Sequence, residues 1–490
     1  MLRHTLPLAL ALSLLACPSN EPTQTPETKP ETTPEPAPSE PPPGHVVGSI
    51  ALPGGQSLDF AIALQVDAGK VAAAKLWIPM QGVAAVDFDE VRHEGAPIEL
   101  TWKAVGAQWI LEFGAEPSCT FSQRGLALEC DVEPVAEQAF AELLAPKRPQ
   151  TPVAPFPYTV ELVKFANAAA PEVTLGGSLT IPEGPGPHPA VVLITGSGQQ
   201  DRDETIFGHK PFAVLADYLS RRGIAVLRYD DRGFGESTGD YGKATMVDFA
   251  GDAWAAVEFL RTRPEIDRKR IGLIGHSEGG VVGPAVAAAH AKDIAFVVML
   301  AGTGVNGQQV IRHQLGLIMQ ASGAKEEDVT RERDYADRMH AALVASEPGQ
   351  ARAALEPILK EWYEGLDSTE KLGVGDFDRA LTDRVAALDT PWMRHFLAYD
   401  PAPTLAKLKM PVLAINGEND LQVDPDQNLP PIEKALKKNK RATIVRLPGL
   451  NHLFQPGTGS PNEYGTIETT MDPAALEQVA TWVRKQTKLE

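Results

Sequence analysis

The stretch that decides the fold reads Ile271-Gly-Leu-Ile-Gly275-His276-Ser277-Glu278-Gly279-Gly280. The apolar run 270–274 predicts a buried strand, and the alanine-rich run 281–291 predicts a helix. The sharp turn between them matches the pattern G-x-S-x-G, which places its serine on strained backbone at the edge of a sheet. Ser277 is therefore the candidate nucleophile. The bare pattern would also fit a passive serine in a glycine-rich turn.

A serine hydroxyl needs a histidine base and a carboxylate that orients it. We expect both groups at the ends of strands that follow Ser277, and two strands qualify. The run 411–416 leads into Asp420, and the run 442–447 leads into His452. The other histidines after Ser277 fall in predicted helices or in the helical segment described below, so His452 is the predicted base. Asp420 fits best as the acid, with Glu418 and Asp424 as nearby rivals.

The developing oxyanion of an acyl transfer needs two N–H donors. One would be the backbone amide of Glu278, directly after the nucleophile. The second would come from the glycine-rich loop 195–200, where Ser197 is the candidate. The charged run 230–237 is interpreted as a structural turn, and the run 201–203 as a salt-bridged loop.

Six ordered blocks of sequence resemble the α/β-hydrolase superfamily, and more closely its bacterial carboxylesterases. The resemblance covers the chain from about residue 161 to the end and implies a mostly parallel α/β-hydrolase sheet. It implies serine ester hydrolysis (class EC 3.1.1) with Ser277 as nucleophile, Asp420 as acid and His452 as base. Thr195 stands where many relatives carry histidine. The blocks are Thr195-Gly-Ser-Gly-Gln-Gln-Asp-Arg-Asp-Glu204, Gly208-His-Lys-Pro-Phe212, Leu227-Arg-Tyr-Asp-Asp-Arg-Gly-Phe-Gly-Glu-Ser237, Gly275-His-Ser-Glu-Gly-Gly280, Asn416-Gly-Glu-Asn-Asp420 and Asn451-His-Leu-Phe454.

Strands and helices alternate over residues 155–490, which predicts one α/β domain. The segment of about 304–399 interrupts this alternation with charged, helical sequence. We expect it to form a helical cap over the site, with helices at 308–321, 326–344 and 350–365.

Residues 45–150 differ in pattern. Short alternating runs separated by Gly, Pro and Asp predict a small all-β accessory domain, either a sandwich or a barrel, with a closing helix at 137–144. Cys119 and Cys130 lie in this region and are candidates for a disulfide.

The N-terminus predicts export. Residues 1–17 have a basic start, an apolar core and Cys17, as in a bacterial lipoprotein signal, although an ordinary secretory signal would also fit. Residues 18–44 are rich in Pro, Glu and Thr and predict an extended linker. We expect a protein of the bacterial cell envelope that reaches a membrane only through a lipid on Cys17.

The net charge of −19 disfavours nucleic acid as a partner. No zinc-type Cys/His cluster is present in the sequence, and the chemistry requires neither a metal nor a cofactor. The expected partner is a small-molecule carboxylic ester, and we expect its acyl chain to be short. Two alternatives stay open: a thioesterase or a dipeptidyl-peptidase-like enzyme, and a binding lipoprotein without catalysis. The peptidase would need carboxylates to hold an amine, for which Glu361, Glu364 and Asp367 are candidates. The sequence leaves the oligomeric state open.

Overall fold

The computed structural model describes residues 42–52, 56–81, 83–94, 97–114, 116–144 and 148–489. These residues form two compact units, which separate between residues 144 and 148. The predicted signal, Cys17 and most of the predicted linker lie outside the described residues. None of the helices in the described ranges is long and apolar enough to cross a bilayer.

The N-terminal unit is one antiparallel sheet of nine strands, in the order β4-β3-β2-β1-β9-β8-β7-β6-β5. Its edges curl towards each other, because the amide of Phe88, just before β5, donates to the carbonyl of Ala74 in β3 (3.1 Å). The elements are β1 (His45–Leu52), β2 (Gln56–Asp67), β3 (Lys70–Ile78), β4 (Val83–Asp87), β5 (Glu90–Arg92), β6 (Ile98–Trp102), β7 (Ala107–Glu112), β8 (Ser118–Gln123), β9 (Leu126–Pro134) and α1 (Glu137–Leu144).

A single aromatic core fills this curled sheet. Trp109 of β7 is fully buried, with the rings of Phe60, Phe88 and Phe121 at centroid distances of 6.1, 5.4 and 4.7 Å. The unit is therefore closer to a barrel than to a sandwich of two sheets. Cys119 and Cys130 face each other across β8 and β9 and form a disulfide, with Cα atoms 5.3 Å apart.

The C-terminal unit is built on an eight-stranded sheet in the order β10-β11-β13-β12-β14-β15-β16-β17. Its elements are β10 (Tyr158–Ala166), β11 (Thr174–Pro182), β12 (His188–Ile194), α2 (Pro211–Ser220), β13 (Ala225–Tyr229), α3 (Met246–Thr262), β14 (Ile266–His276), α4 (Gly279–Ala289), β15 (Phe296–Leu300), α5 (Gly307–Ala321), α6 (Glu326–Ala345), α7 (Ala351–Gly365), α8 (Ser368–Val374), α9 (Phe377–Leu388), α10 (Pro391–Ala398), α11 (Ala402–Leu405), β16 (Val412–Gly417), α12 (Pro425–Leu436), β17 (Ala442–Leu447) and α13 (Pro473–Thr487).

Six of the eight strands, in the order β13-β12-β14-β15-β16-β17, run parallel to one another, whereas β11 pairs antiparallel with both β10 and β13 near one edge. The central strands are buried on both faces, and this explains their continuous apolar sequence. Val192 points into a core shared with α3, α4 and α12, and its neighbour Leu193 points into a core shared with α2 and α13. The carboxyl ends of the parallel strands consequently meet at one edge.

The helices α5–α10 are inserted between β15 and β16, over Gly307–Ala398, and have an apolar core of their own. Three of them agree with the predicted cap helices. The helices α8, α9 and α10 were not predicted, because each is only 7 to 12 residues long and gives little periodicity to detect.

Candidate active site

Ser277 lies on the turn between β14 and α4 with a φ of +51°, a region that L-residues rarely adopt. Its backbone amide donates to the carbonyl of Leu300 in the neighbouring strand (2.8 Å). A Cβ atom on Gly275 would lie 1.9 Å from the carbonyl oxygen of Gly279, and one on Gly279 would lie 2.1 Å from that of Ile194. Both positions must therefore be glycine for the turn to close against the sheet.

Asp420 and His452 meet at the ends of β16 and β17. The Nδ1 atom of His452 lies 2.8 Å from Oδ2 of Asp420, and both side chains are buried. The other carboxylate oxygen, Oδ1, accepts the amides of Gln422 and Val423, each at 2.8 Å. Because a carboxylate faces Nδ1, that nitrogen carries the proton and Nε2 keeps its lone pair.

The two rival acids have other positions. Glu418 is exposed, and its closest partner is the amide of Gly449 at 3.3 Å. Asp424 caps α12 through the amide of Asp426 and contacts His313 of the cap. Neither carboxylate contacts His452, so the structure brings Asp420 to the histidine.

A single cavity between the sheet edge and the cap is lined by Ser277, His452, Ser197 and Glu278. Within the described ranges, the amides of Ser197 and Glu278 donate to no protein acceptor, so both remain available to a ligand. The loop that carries Ser197 passes close to Ser277, because a Cβ atom on Gly196 would lie 3.3 Å from Cβ of Ser277. The cavity thus joins a hydroxyl, an imidazole and two amide donors.

A buried Glu–His pair, which the sequence reasoning missed, supports this arrangement. Oε1 of Glu204 accepts the amide of Gly196 (2.7 Å) and lies 2.9 Å from Nδ1 of His276. The Nε2 atom of His276 is 3.1 Å from the carbonyl oxygen of His452. Burial by itself would lower the pKa of His276, but the adjacent Glu204 carboxylate raises it overall. The pair therefore connects the glycine-rich loop, the turn at Ser277 and His452. The only sequence signal for it was the presence of both residues inside the blocks quoted above.

The charged turn 230–237 also supports the glycine-rich loop. Asp231 accepts the hydroxyl of Thr195 and the amide of Gln200, both at 2.8 Å. Thr195 therefore has a structural partner despite replacing the histidine of many relatives. Arg202 forms a partly buried ion pair with Asp230 (2.6 Å), which agrees with the salt-bridged loop expected from the sequence.

The cap contacts both halves of the site. The indole N–H of Trp392 in α10 donates to Oε1 of Glu278 at 2.6 Å. Burial raises the pKa of this Glu278 carboxyl to about 7, although the bond from Trp392 lowers it. The Nε2 atom of His313 in α5 lies 2.6 Å from Oδ2 of Asp424, on the loop that follows Asp420. The cap is therefore attached directly to Glu278, the residue after Ser277.

Comparison with known proteins agrees with this geometry. A model of the alpha/beta hydrolase family matches residues 191–461, which is more than half of the chain and includes all three residues of the Ser277–His452–Asp420 constellation. The chain belongs to the alpha/beta hydrolase family. Its relatives include a protein named as an esterase.

Esterase EstD of Thermotoga maritima is 29% identical over 314 residues, which cover 64% of this chain and 66% of EstD. The chain thus spans just under two thirds of the length of that relative. The 2,6-dihydropseudooxynicotine hydrolase of Paenarthrobacter nicotinovorans is 34% identical over 106 residues, covering 20% of this chain and 24% of the relative. Among solved structures, Est1E of Butyrivibrio proteoclasticus, with ferulic acid bound, aligns with a TM-score of 0.37 at 17% identity and covers 66% of this chain and 96% of Est1E.

The carboxylates considered for a peptidase do not reach the site of this alpha/beta hydrolase. Glu361, Glu364 and Asp367 are exposed at the C-terminal end of α7 and just beyond it, and none lines the cavity. Glu361 is instead paired with Arg338 on the cap surface. In the described part of the chain, the site therefore lacks these three anchors for a substrate amine.

Proposed function

We propose that this protein is a serine esterase that hydrolyses carboxylic esters through an acyl-enzyme on Ser277. The observation that carries the proposal is the buried His452–Asp420 pair, which faces the same cavity as a serine held at positive φ. Membership in the alpha/beta hydrolase family supports it, as does the relative EstD, whose name describes it as an esterase.

In the proposed mechanism, Oγ of Ser277 attacks the ester carbonyl carbon while Nε2 of His452 takes the hydroxyl proton. The amides of Ser197 and Glu278 then donate to the oxyanion, aided by the N-terminus of α4. Collapse of this intermediate breaks the C–O bond, and His452 returns the proton to the leaving alcohol. Water activated by the same histidine attacks the acyl-enzyme and releases the acid. Asp420 keeps the imidazole oriented throughout.

Two measurements test this proposal together: hydrolysis of short-chain p-nitrophenyl esters, and labelling by a fluorophosphonate probe. We expect the wild type to turn over the esters and to be labelled, and Ser277→Ala to lose both. Asp420→Asn should lower kcat by about 10⁴-fold, because the imidazole loses its correct tautomer. Ser57→Ala, at an exposed serine of the N-terminal unit, is the matched control. Equal labelling of wild type and Ser277→Ala would contradict the proposal.

The scissile bond is tested by comparing matched oxygen esters, thioesters and aminoacyl anilides. We expect the oxygen esters to have the highest kcat/KM, because none of Glu361, Glu364 and Asp367 lines the cavity to hold an amine. Faster anilide turnover would favour a peptidase, and faster thioester turnover a thioesterase.

We further propose that the protein is exported and attached to a membrane of the bacterial envelope through a lipid on Cys17. The sequence of residues 1–17 supports this proposal. Metabolic labelling with a fatty-acid analogue should mark the wild type and fail to mark Cys17→Ala. Labelling that survives this substitution would refute the anchor.

A further inference from the structure

The side of the cavity formed by the cap is mainly apolar. Leu315, Met339, Leu388 and Met393 contribute to it from four helices. Such a surface suits the hydrocarbon part of a substrate. Three polar side chains, Gln314 of α5, His340 of α6 and Arg384 of α9, interrupt this apolar wall, and only Arg384 carries a formal charge.

Arg384 carries a positive charge without a direct partner. In the described part of the chain, its guanidinium forms no hydrogen bond and no ion pair, although it lines the cavity. Glu332 acts on it electrostatically, but both oxygens of Glu332 accept the indole N–H of Trp362, at 3.2 and 3.1 Å. Burial lowers the pKa of Arg384 to about 10, so the group stays charged at neutral pH.

His340 is 3% exposed, and its buried Nδ1 atom has no hydrogen-bond partner. Burial is the main cause that lowers the pKa of His340 to about 4, while the charge of Asp337 raises it and that of Arg384 lowers it, so the ring is neutral at neutral pH and lies within electrostatic range of Arg384. A neutral imidazole still offers one N–H donor. Buried polar atoms in native proteins nearly always have partners. His340 lines the same cavity as Arg384, so its imidazole is a candidate second donor beside the guanidinium.

We propose that Arg384 and His340 form a carboxylate subsite, which selects esters bearing a second, free carboxylate at the end remote from the scissile bond. This inference rests on the proposed esterase function and names its substrate class. The planar guanidinium offers two parallel N–H donors to a carboxylate. The apolar wall accommodates the methylene chain between the two ends of the substrate.

The carboxylate could belong to the acyl chain or to the alcohol, and two series of substrates distinguish these sources. The first contains mono-p-nitrophenyl esters of linear dicarboxylic acids, and the second contains acetate esters of linear ω-hydroxy acids. Each acid is paired with its methyl-capped, neutral analogue. We expect kcat/KM to favour the free carboxylate by at least about tenfold in one series, at one optimal chain length.

Arg384→Met should remove this preference by raising KM for the carboxylate ester, while kcat for the neutral ester stays close to that of the wild type. Arg384→Lys keeps the charge and should retain part of the preference. The control variant is Arg379→Met, which replaces an exposed arginine near Asp383 on the same helix. It should leave the ratio of kcat/KM between the carboxylate ester and the neutral ester unchanged. Two results would overturn the subsite. One is a wild-type kcat/KM ratio of one between carboxylate and neutral esters in both series. The other is a folded Arg384→Met protein that loses kcat/KM equally for both esters of a pair.

A binding measurement separates failure of the subsite from failure of the esterase proposal. Trp392 lines the cavity and provides a fluorescence signal for titration with linear dicarboxylates such as adipate and suberate. If the wild type hydrolyses no ester but binds one of these dicarboxylates, and Arg384→Met loses this binding, the esterase proposal fails and the subsite stands. If ester hydrolysis is present and neither binding nor a carboxylate preference is found, the subsite fails alone.

Discussion

Replacing the buried carboxyl of Glu278 should change how stability depends on pH. In the unfolded chain this group has its ordinary pKa of 4.5, and burial raises the pKa to about 7 in the folded protein. The folded state therefore holds its proton more tightly than the unfolded state between these two values. Stability accordingly falls as the pH rises from about 4.5 to 7 and then stays at the lower level.

The magnitude follows from the shift in the pKa of Glu278. At about 1.4 kcal/mol per pKa unit, ionising the buried carboxyl costs on the order of 3 kcal/mol above pH 7. Glu278→Gln keeps a carbonyl oxygen that accepts the indole N–H of Trp392, but it carries no charge. Relative to the wild type, we expect the free energy of unfolding of this variant to increase by about 3 kcal/mol as the pH rises from 5 to 8.

The assay is the thermal midpoint of the C-terminal unit at half-unit steps from pH 5 to 8.5. For a unit of this size, 3 kcal/mol corresponds to a relative shift of roughly 4–5 °C. The control is Glu258→Gln, at an exposed position of α3, which should leave the pH dependence unchanged. A difference between Glu278→Gln and wild type that is constant over this pH range would refute the reasoning, because it would mean that the carboxyl titrates alike in both states.

Three further predictions concern packing and support. Gly275→Ala should destabilise the C-terminal unit by at least about 3 kcal/mol, because its Cβ would lie 1.9 Å from a backbone oxygen. The control is Gly283→Ala in α4, whose Cβ would meet nothing closer than 3.6 Å. This control should be neutral or stabilise the unit by up to about 1 kcal/mol. Thermal unfolding distinguishes the two. Replacing Cys119 and Cys130 by serine should cost the N-terminal unit about 3 kcal/mol, measured by denaturant unfolding; an unchanged midpoint would contradict a stabilising disulfide. Glu204→Ala should lower kcat for p-nitrophenyl esters by about 10²-fold with little change in KM, because Gly196 and His276 lose their shared acceptor; a change confined to KM would argue against this positioning role.

The local sequence was sufficient for the elements that depend on short-range patterns. The apolar runs of the parallel strands, the G-x-S-x-G turn at Ser277 and the order of Asp420 and His452 after it can all be predicted without coordinates. They follow from strand burial on both faces and from the steric demand of a turn that only glycine satisfies. The antiparallel pairing of β10 and β11 could not be predicted, because apolar periodicity does not report strand direction.

Only the tertiary structure decided which distant groups meet around Ser277. The sequence placed the glycine-rich loop before the elbow and the acid and base after it, but folding brings Glu204 to His276 and Trp392 to Glu278. It also leaves Arg384 in the cavity wall without a carboxylate partner in the described chain. Sequence patterns report the burial and conformation of neighbouring residues, whereas these contacts depend on how separate helices and loops pack. The fold and the turn that carries Ser277 were therefore determined locally, and the side chains that surround Ser277 were decided by packing.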